Sequence, residues 1–162
     1  PGSVIMVSRE GTRPLLVEVQ ALADETVLNN PRRVTIGIEH NRLSMLLAVL
    51  NRHAGISTAG CDVFANIVGG VRITETGVDL PILAAIVSSL RDKPVSRDTA
   101  IFGEVGLAGE IRPVQSGGER LREAAKHGFK RAIIPTANAP KSPLQGMEVI
   151  PVSRLSEALE NI

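Results

Sequence analysis

Aromatic residues are nearly absent from this sequence, which has three Phe, no Tyr and no Trp among 162 residues. Proteins that bind single-stranded nucleic acid without sequence preference stack bases on aromatic side chains, so the scarcity argues against that mode of binding. The single cysteine, Cys61, excludes an internal disulfide and a zinc site built from several cysteines. Its residue type favours a small, half-buried apolar role over a reactive thiol.

An excess of one charge sign is also missing, because 18 Lys and Arg stand against 17 Asp and Glu. Overall charge therefore favours neither nucleic acid nor a membrane, and any such preference must come from a local cluster. No apolar run approaches the roughly 18 residues of a membrane span, and no signal peptide is visible. These absences predict a cytoplasmic protein. The first residue is Pro1 rather than Met, so we expect a fragment of a longer chain.

Helical and strand patterns alternate along the chain. Leu43, Leu46, Leu47 and Leu50 recur at i, i+3, i+4 and i+7, the spacing of one apolar helix face. Similar faces are predicted around residues 80–87, 121–125 and 155–162, and short alternating or β-branched segments separate them. Helices interspersed with strand groups predict an α/β or α+β fold. We expect one domain that covers residues 1–162.

Phosphate-binding and metal-binding motifs are absent. No G-x-x-x-x-G-K-[ST] loop occurs, so this chain alone is not expected to bind ATP. Gly103, Gly106 and Gly109 are spaced by three residues, which indicates turn glycines rather than a dinucleotide fingerprint. The histidines are far apart in sequence and none has a partner at metal-ligand spacing, so no metal site is predicted.

Two helix starts have the residue types of capping boxes. Thr76 precedes Asp79 by three positions, although Asp replaces the usual Glu or Gln. Ser116 precedes Glu119 in the same way and matches the S-x-x-E pattern. These patterns predict that a side chain caps each of the two helices.

With these segments placed, the sequence resembles the C-terminal Lon-protease-like domain of the bacterial RadA/Sms DNA repair proteins. The residues that carry this resemblance include DVFANIVGGVRITETGVDLPILAAIVSSL from Asp62, FGEVGLAGEIRPV from Phe102 and ERLREAAKHGFKRAIIP from Glu119. The resemblance covers essentially the whole chain. It implies the α/β fold that Lon protease domains share with the second domain of ribosomal protein S5.

Active Lon proteases use a serine and a lysine, each at a helix start. The resemblance places Gly77 and Gly118 at the two positions. Neither glycine can attack a carbonyl or accept a proton, and Lys126 lies at the wrong end of its helix. The resemblance therefore implies a scaffold without catalysis, in which Gly77, Asp79 and Gly118 line a vestigial cleft.

The resemblance also implies a longer parent protein with an N-terminal zinc finger and a RecA-like ATPase. ATP, magnesium and zinc would be bound by those domains, and no cofactor is expected in this chain. Such proteins assemble as homo-hexameric rings, bind DNA and drive branch migration in homologous recombination. The function expected for this chain is support of the ring and contact with DNA during repair of DNA damage.

A local excess of positive charge follows Ser116. The segment from Glu119 to Arg131 carries five cations against two carboxylates, Glu119 and Glu123. The cations are Arg120, Arg122, Lys126, Lys130 and Arg131. Such a cluster can follow the phosphates of DNA, and it can equally be an ordinary solvated helix face. The sequence favours neither interpretation.

The residues leave two alternative functions open. One is a serine-lysine peptidase whose catalytic residues have moved to other positions. The other is a module that binds a partner protein in the vestigial cleft, where glycines leave room and free helix N-termini favour acidic groups.

Overall fold

The computed structural model describes residues 1–162, which form nine β-strands and four α-helices. The strands are β1 (Ser3–Glu10), β2 (Arg13–Glu25), β3 (Arg33–Ile36), β4 (Cys61–Ile67), β5 (Thr99–Ile101), β6 (Glu104–Val105), β7 (Ile111–Arg112), β8 (Arg131–Pro135) and β9 (Glu148–Val152). The helices are α1 (His40–Ala54), α2 (Asp79–Arg91), α3 (Gly117–Lys126) and α4 (Leu155–Glu160). None of them combines the length and apolar character needed to cross a membrane.

Seven strands form one mixed sheet in the order β3-β4-β2-β1-β5-β8-β9. The pairs β3–β4, β1–β5, β5–β8 and β8–β9 are parallel, and β1–β2 and β2–β4 are antiparallel. Strands β6 and β7 form a separate hairpin. The α/β class predicted from the alternating patterns is confirmed.

Helices cover the two faces of the sheet unequally. Buried residues of α1, α2 and α4 belong to a core cluster of 32 residues. Leu121 and Ala124 of α3 belong to a second cluster of 8 residues, together with residues of β1, β5 and β8. On the face against which α3 packs, no helix covers β3, β4 or the end of β2 around Leu22, so Leu22, Val34 and Ile36 are exposed. We call this region the uncovered sheet face.

Helix α1 follows the predicted pattern closely. Leu43, Leu46, Leu47 and Leu50 are all buried, because the 3.6-residue period places them on the side that faces the sheet. Gly55 ends the helix in the left-handed conformation with φ of 68°, which glycine adopts at little cost. The prediction of an amphipathic helix at this position is confirmed.

The β6–β7 hairpin confirms the interpretation of its glycines as turn residues. Gly109 has φ of 80°, and a Cβ atom there would lie 2.8 Å from the Cβ of His53. Both the dihedral and the close approach therefore require glycine. His53 also forms a hydrogen bond with the carbonyl of Leu107, which holds the hairpin tip against α1.

Asp62 connects β4 to the residue before β3. The Arg32 backbone N–H donates to Asp62 Oδ1 at 2.6 Å, and the Arg32 guanidinium donates to Oδ2 at 3.0 Å. The backbone donor first, and then the guanidinium, hold the pKa of the Asp62 carboxyl below its usual range. A carboxylate with a depressed pKa stabilises the folded state above its unfolded pKa, and this contribution disappears as the pH falls through the folded pKa.

We therefore expect Asp62→Asn to reduce the acid sensitivity of folding. An unperturbed aspartate titrates at about pH 3.9, so the stabilising contribution of Asp62 is complete at neutral pH and is lost below about pH 4. Urea unfolding at a series of pH values between about 6 and 2 would measure the slope. The slope should be shallower in Asp62→Asn than in the parent. Asp92→Asn, at an exposed aspartate just after α2, is the control. Equal slopes in all three proteins would contradict the prediction.

Candidate functional site between two helix starts

Arg120 occupies the space between the start of α3 and the start of α2. Its side chain is only 3% exposed and pairs with Glu75 Oε1 at 2.8 Å. The guanidinium also donates to the carbonyls of Gln115 and Val7, each at 2.9 Å. Its central carbon lies 5.6 Å from the centre of the Phe102 ring, a cation–π distance. The Arg120 guanidinium is thus bound by several partners inside the protein.

Glu75 extends the same network to β1. Its Oε2 accepts hydrogen bonds from the Ser8 hydroxyl at 2.7 Å and from the Arg9 backbone N–H at 2.9 Å. One carboxylate therefore ties together β1, the segment before α2 and, through Arg120, α3. Because the carboxylate charge is paired and its oxygens are hydrogen-bonded, it is not placed to act as a free base.

Gly77 and Gly118, the two glycines that the Lon resemblance aligns with catalytic residues, have different surroundings. Gly77 is buried, and a Cβ atom there would lie 2.6 Å from Glu75 Oε1 and 3.4 Å from Arg120 Nη1. A larger side chain at Gly77 would therefore displace the ion pair. Gly118 is exposed, and the nearest atom to an added Cβ would be Arg122 Nη1 at 3.4 Å. The ion pair thus fills the space at Gly77, and Gly118 faces solvent.

Asp79 does not line an open cleft, so that expectation is wrong. The side chain is fully buried, and Arg42 of α1 donates to its two oxygens at 2.6 and 2.5 Å. The backbone N–H of Val105 donates to Oδ2 at 3.0 Å. Burial raises the pKa of Asp79, and Arg42 and Val105 oppose that rise. The hydrogen bonds to Asp79 raise the pKa of Arg42.

Neither predicted capping box forms. Thr76 begins a short 3₁₀ turn, Thr76–Val78, that leads into α2, and no side chain caps that helix. Ser116 lies before α3 in the left-handed conformation with φ of 61°, and its hydroxyl makes no capping bond. Asp79 instead accepts hydrogen bonds from the Arg42 guanidinium and from the Val105 backbone N–H. At the start of α2, long-range pairing of Asp79 has thus replaced the local bond that the spacing predicts.

The cations predicted for DNA contact fall into three groups. Arg122, Lys126 and Lys130 are exposed on or just after α3. Arg131 is half-buried, and its guanidinium donates to the Thr99 hydroxyl and to the Asn161 carbonyl. Arg120 is buried, so its assignment to an exposed phosphate-binding surface is wrong.

Periodicity could have revealed the burial of Arg120. The buried residues of α3 are Gly117, Arg120, Leu121 and Ala124, at i, i+3, i+4 and i+7. Arg120 therefore lies on the apolar face, where a charge must find partners. Its partners Glu75 and Val7 are 45 and 113 positions away, and no sequence pattern connects them.

The remaining chemistry of the site is limited. No group of three or more His, Cys, Asp or Glu side chains is arranged to hold a metal ion. Ser88 is buried in α2, where its hydroxyl accepts from the Gly2 N–H at 2.9 Å. A cleft of about 520 Å³ lies beside the β6–β7 hairpin, and Arg42, Thr76 and Glu104 contribute to its wall. The site combines two internal ion pairs with an exposed row of cations on α3.

Comparison with known families gives a match over most of the chain. Residues 7–138 match the family model described as subunit ChlI of Mg-chelatase. The chain is also 62% identical over 158 residues to a DNA repair protein RadA from Escherichia coli, covering 98% of this chain and 34% of the relative. It is 61% identical over 160 residues to RadA from Pseudomonas aeruginosa, covering 99% of this chain and 35% of the relative.

A more distant relative shows the same coverage. RadA from Aquifex aeolicus is 47% identical over 160 residues, which is 99% of this chain and 36% of the relative. The chain thus spans about a third of the length of the curated relatives it matches.

Proposed function

This chain belongs to the family described as subunit ChlI of Mg-chelatase, and from that premise we propose that it is a non-catalytic Lon-protease-like domain of a RadA-type DNA repair protein. The observation that carries the proposal is the identity to proteins named RadA over nearly the whole chain. The chelatase activity in the family description is not transferred, because a family name by itself does not determine function.

The filled space at Gly77 supports a scaffold without peptidase activity. A serine-lysine site needs an accessible hydroxyl and a lysine that can accept its proton. Arg120 and Glu75 occupy the space that a side chain at Gly77 would enter. A lysine is also missing from the start of α3, where Gly117 and Gly118 stand. The alternative of displaced catalytic residues predicts casein cleavage by the purified chain, and cleavage that one serine substitution abolishes would favour it.

The wider role belongs to the longer protein and follows the RadA relatives. We propose a cytoplasmic protein with a RecA-like ATPase that binds ATP and magnesium, and a zinc finger that binds zinc. The proposed assembly is a hexameric ring that drives branch migration in recombination. In this proposal the present chain has the fold shared by Lon protease domains and the second domain of ribosomal protein S5, and it supports the ring.

The proposed DNA contact is made by exposed cations on the solvent side of α3. Arg122 and Lys126 are four positions apart, so they lie above one another on the same helix face. Lys130 follows just beyond the end of the helix. The chain offers few aromatic rings, so we propose backbone contacts that depend on salt rather than base stacking.

Binding of a fluorescent DNA duplex tests this proposal. We expect the double variant Arg122→Ala with Lys126→Ala to bind more weakly at low salt. The slope of log K against log salt should fall by about two units, because two phosphate contacts are lost. The matched control changes Arg52 and Lys93, two exposed cations at the ends of α1 and α2, to Ala. Equal binding by both double variants would refute the proposed surface.

A further inference from the structure

Strand β1 continues beyond the end of its parallel neighbour β5. The last pair in register is Met6 with Ile101, which is also the last residue of β5. β1 runs on to Glu10, and along this length it is paired with β2 on its other side. On the β5 side, the final part of β1 is therefore an edge without a neighbouring strand. An unpaired strand edge is a template to which another extended segment can add.

Gly103 is the residue that would continue the ladder, but it turns away from β1. By register it would lie opposite Ser8. Its N–H instead donates to the Gly77 carbonyl at 3.1 Å, and its carbonyl accepts from the Leu80 N–H at 3.0 Å. Both backbone groups of Gly103 are thus bonded at the start of α2, and β1 has no backbone partner at Ser8.

The Glu75–Arg120 ion pair supplies the missing partners. In a parallel ladder, the two backbone groups that flank a paired residue bond to one residue of the next strand. For Ser8 these groups are the Val7 carbonyl and the Arg9 N–H. Arg120 donates to the Val7 carbonyl at 2.9 Å. Glu75 accepts from the Arg9 N–H, also at 2.9 Å. The ion pair thus takes the place of one strand residue.

We propose that the Glu75–Arg120 pair is a plug that closes the free edge of β1 against strand addition by an extended segment of another copy of the chain. The plug is held on both sides, because the Ser8 hydroxyl donates to Glu75 and the Gln115 carbonyl accepts from Arg120. Sheet proteins protect their edges with inward-pointing charges or covering loops. Here a bonded pair of charges satisfies the backbone groups that an added strand would need.

Gly77 makes room for the plug. A Cβ atom at this position would lie 2.6 Å from Glu75 Oε1 and 3.4 Å from Arg120 Nη1. Gly77 does not have a positive φ, so space rather than backbone conformation calls for glycine. A side chain at Gly77 and the plug therefore exclude each other. Gly77→Ala should expose the Arg9 amide in the same way as removal of the ion pair.

Hydrogen exchange of the Arg9 amide, followed by NMR, tests whether the plug covers the edge. The double variant Glu75→Ala with Arg120→Met removes the plug without leaving an unpaired charge. Its matched control, Arg42→Met with Asp79→Ala, removes the other internal ion pair and leaves the β1 edge unchanged. Relative to the core amides, the Arg9 amide should exchange about tenfold faster or more in the plug variant. In the control it should lose protection only in step with the core.

Aggregation kinetics measure what the plug prevents. Thioflavin fluorescence and light scattering follow both double variants at urea concentrations that leave equal fractions unfolded. The plug variant should form β-rich aggregates about tenfold faster than the control, since only the plug variant presents an open strand edge. The uncovered sheet face is the same in both proteins, so it contributes equally to both rates. Gly77→Ala, a smaller change, gives the same comparison if the plug variant does not fold.

A proline at the edge provides the rescue. Arg9→Pro removes the N–H that an added strand would use, and proline is tolerated at sheet edges. The Arg9 N–H faces the plug rather than β2, so the β1–β2 ladder keeps its bonds. Added to the plug variant, Arg9→Pro should return the aggregation rate to within about threefold of the control. Equal aggregation of the two double variants, no protection by Arg9→Pro, or an Arg9 amide that exchanges in step with the core would overturn the proposal.

Discussion

Replacing Arg120 with Met is expected to lower the free energy of unfolding by about 3 kcal/mol, because the change leaves Glu75 half-buried without its cation. Glu75 would retain its bonds to Ser8 and Arg9 but lose the charge that balances it. Met keeps the apolar volume beside Phe102, so the loss reports the charge network rather than a cavity. Urea unfolding followed by circular dichroism measures the difference.

The control for Arg120 is its neighbour on α3. Arg122→Met removes the same charge from an exposed position and should change the unfolding free energy by no more than about 0.5 kcal/mol. Adding Glu75→Gln to Arg120→Met should recover part of the loss, since the unpaired charge is then removed. If Arg120→Met and Arg122→Met were equally stable, the ion pair would not be the link between the two helix starts.

Asp79→Ala is expected to destabilise the fold by about 3 to 5 kcal/mol. The change leaves the Arg42 guanidinium without a counter-ion and the Val105 N–H without an acceptor. Asp79 is also the first residue of α2, where a negative charge interacts favourably with the helix dipole. Its loss should loosen the packing of α1, α2 and the β6–β7 hairpin together.

A double-mutant cycle isolates the Asp79–Arg42 pair. Arg42→Met and Asp79→Ala are measured singly and together, and we expect a coupling energy of about 1 to 3 kcal/mol. Asp79→Asn keeps an acceptor for the Val105 N–H, so it should be less destabilising than Asp79→Ala. Asp24→Ala, at an exposed aspartate, is the control and should be near neutral. A coupling energy near zero would mean that the two charges act independently.

Local patterns predicted the elements with strong periodicity. The leucines of α1 and the terminating Gly55 were placed correctly, because a helix face and a left-handed cap depend on neighbouring residues. The β6–β7 turn glycines were likewise correct. The helix starts at Thr76 and Ser116 were interpreted as capped, and this was wrong because the capping-box pattern contains only local information.

The sequence by itself determined the α/β class and the amphipathic helices, since each depends on residue type and short-range spacing. Only the tertiary structure decided that Arg120 and Asp79 are internal. The burial of these two side chains depends on Glu75 and Arg42, which lie in other parts of the chain. A buried charge is stable only where the fold supplies a partner of opposite charge. Because a buried charge needs a partner, Arg120 lies inside the protein, where it pairs with Glu75. Arg122 and Lys126 on the same helix have no such buried partner and face solvent.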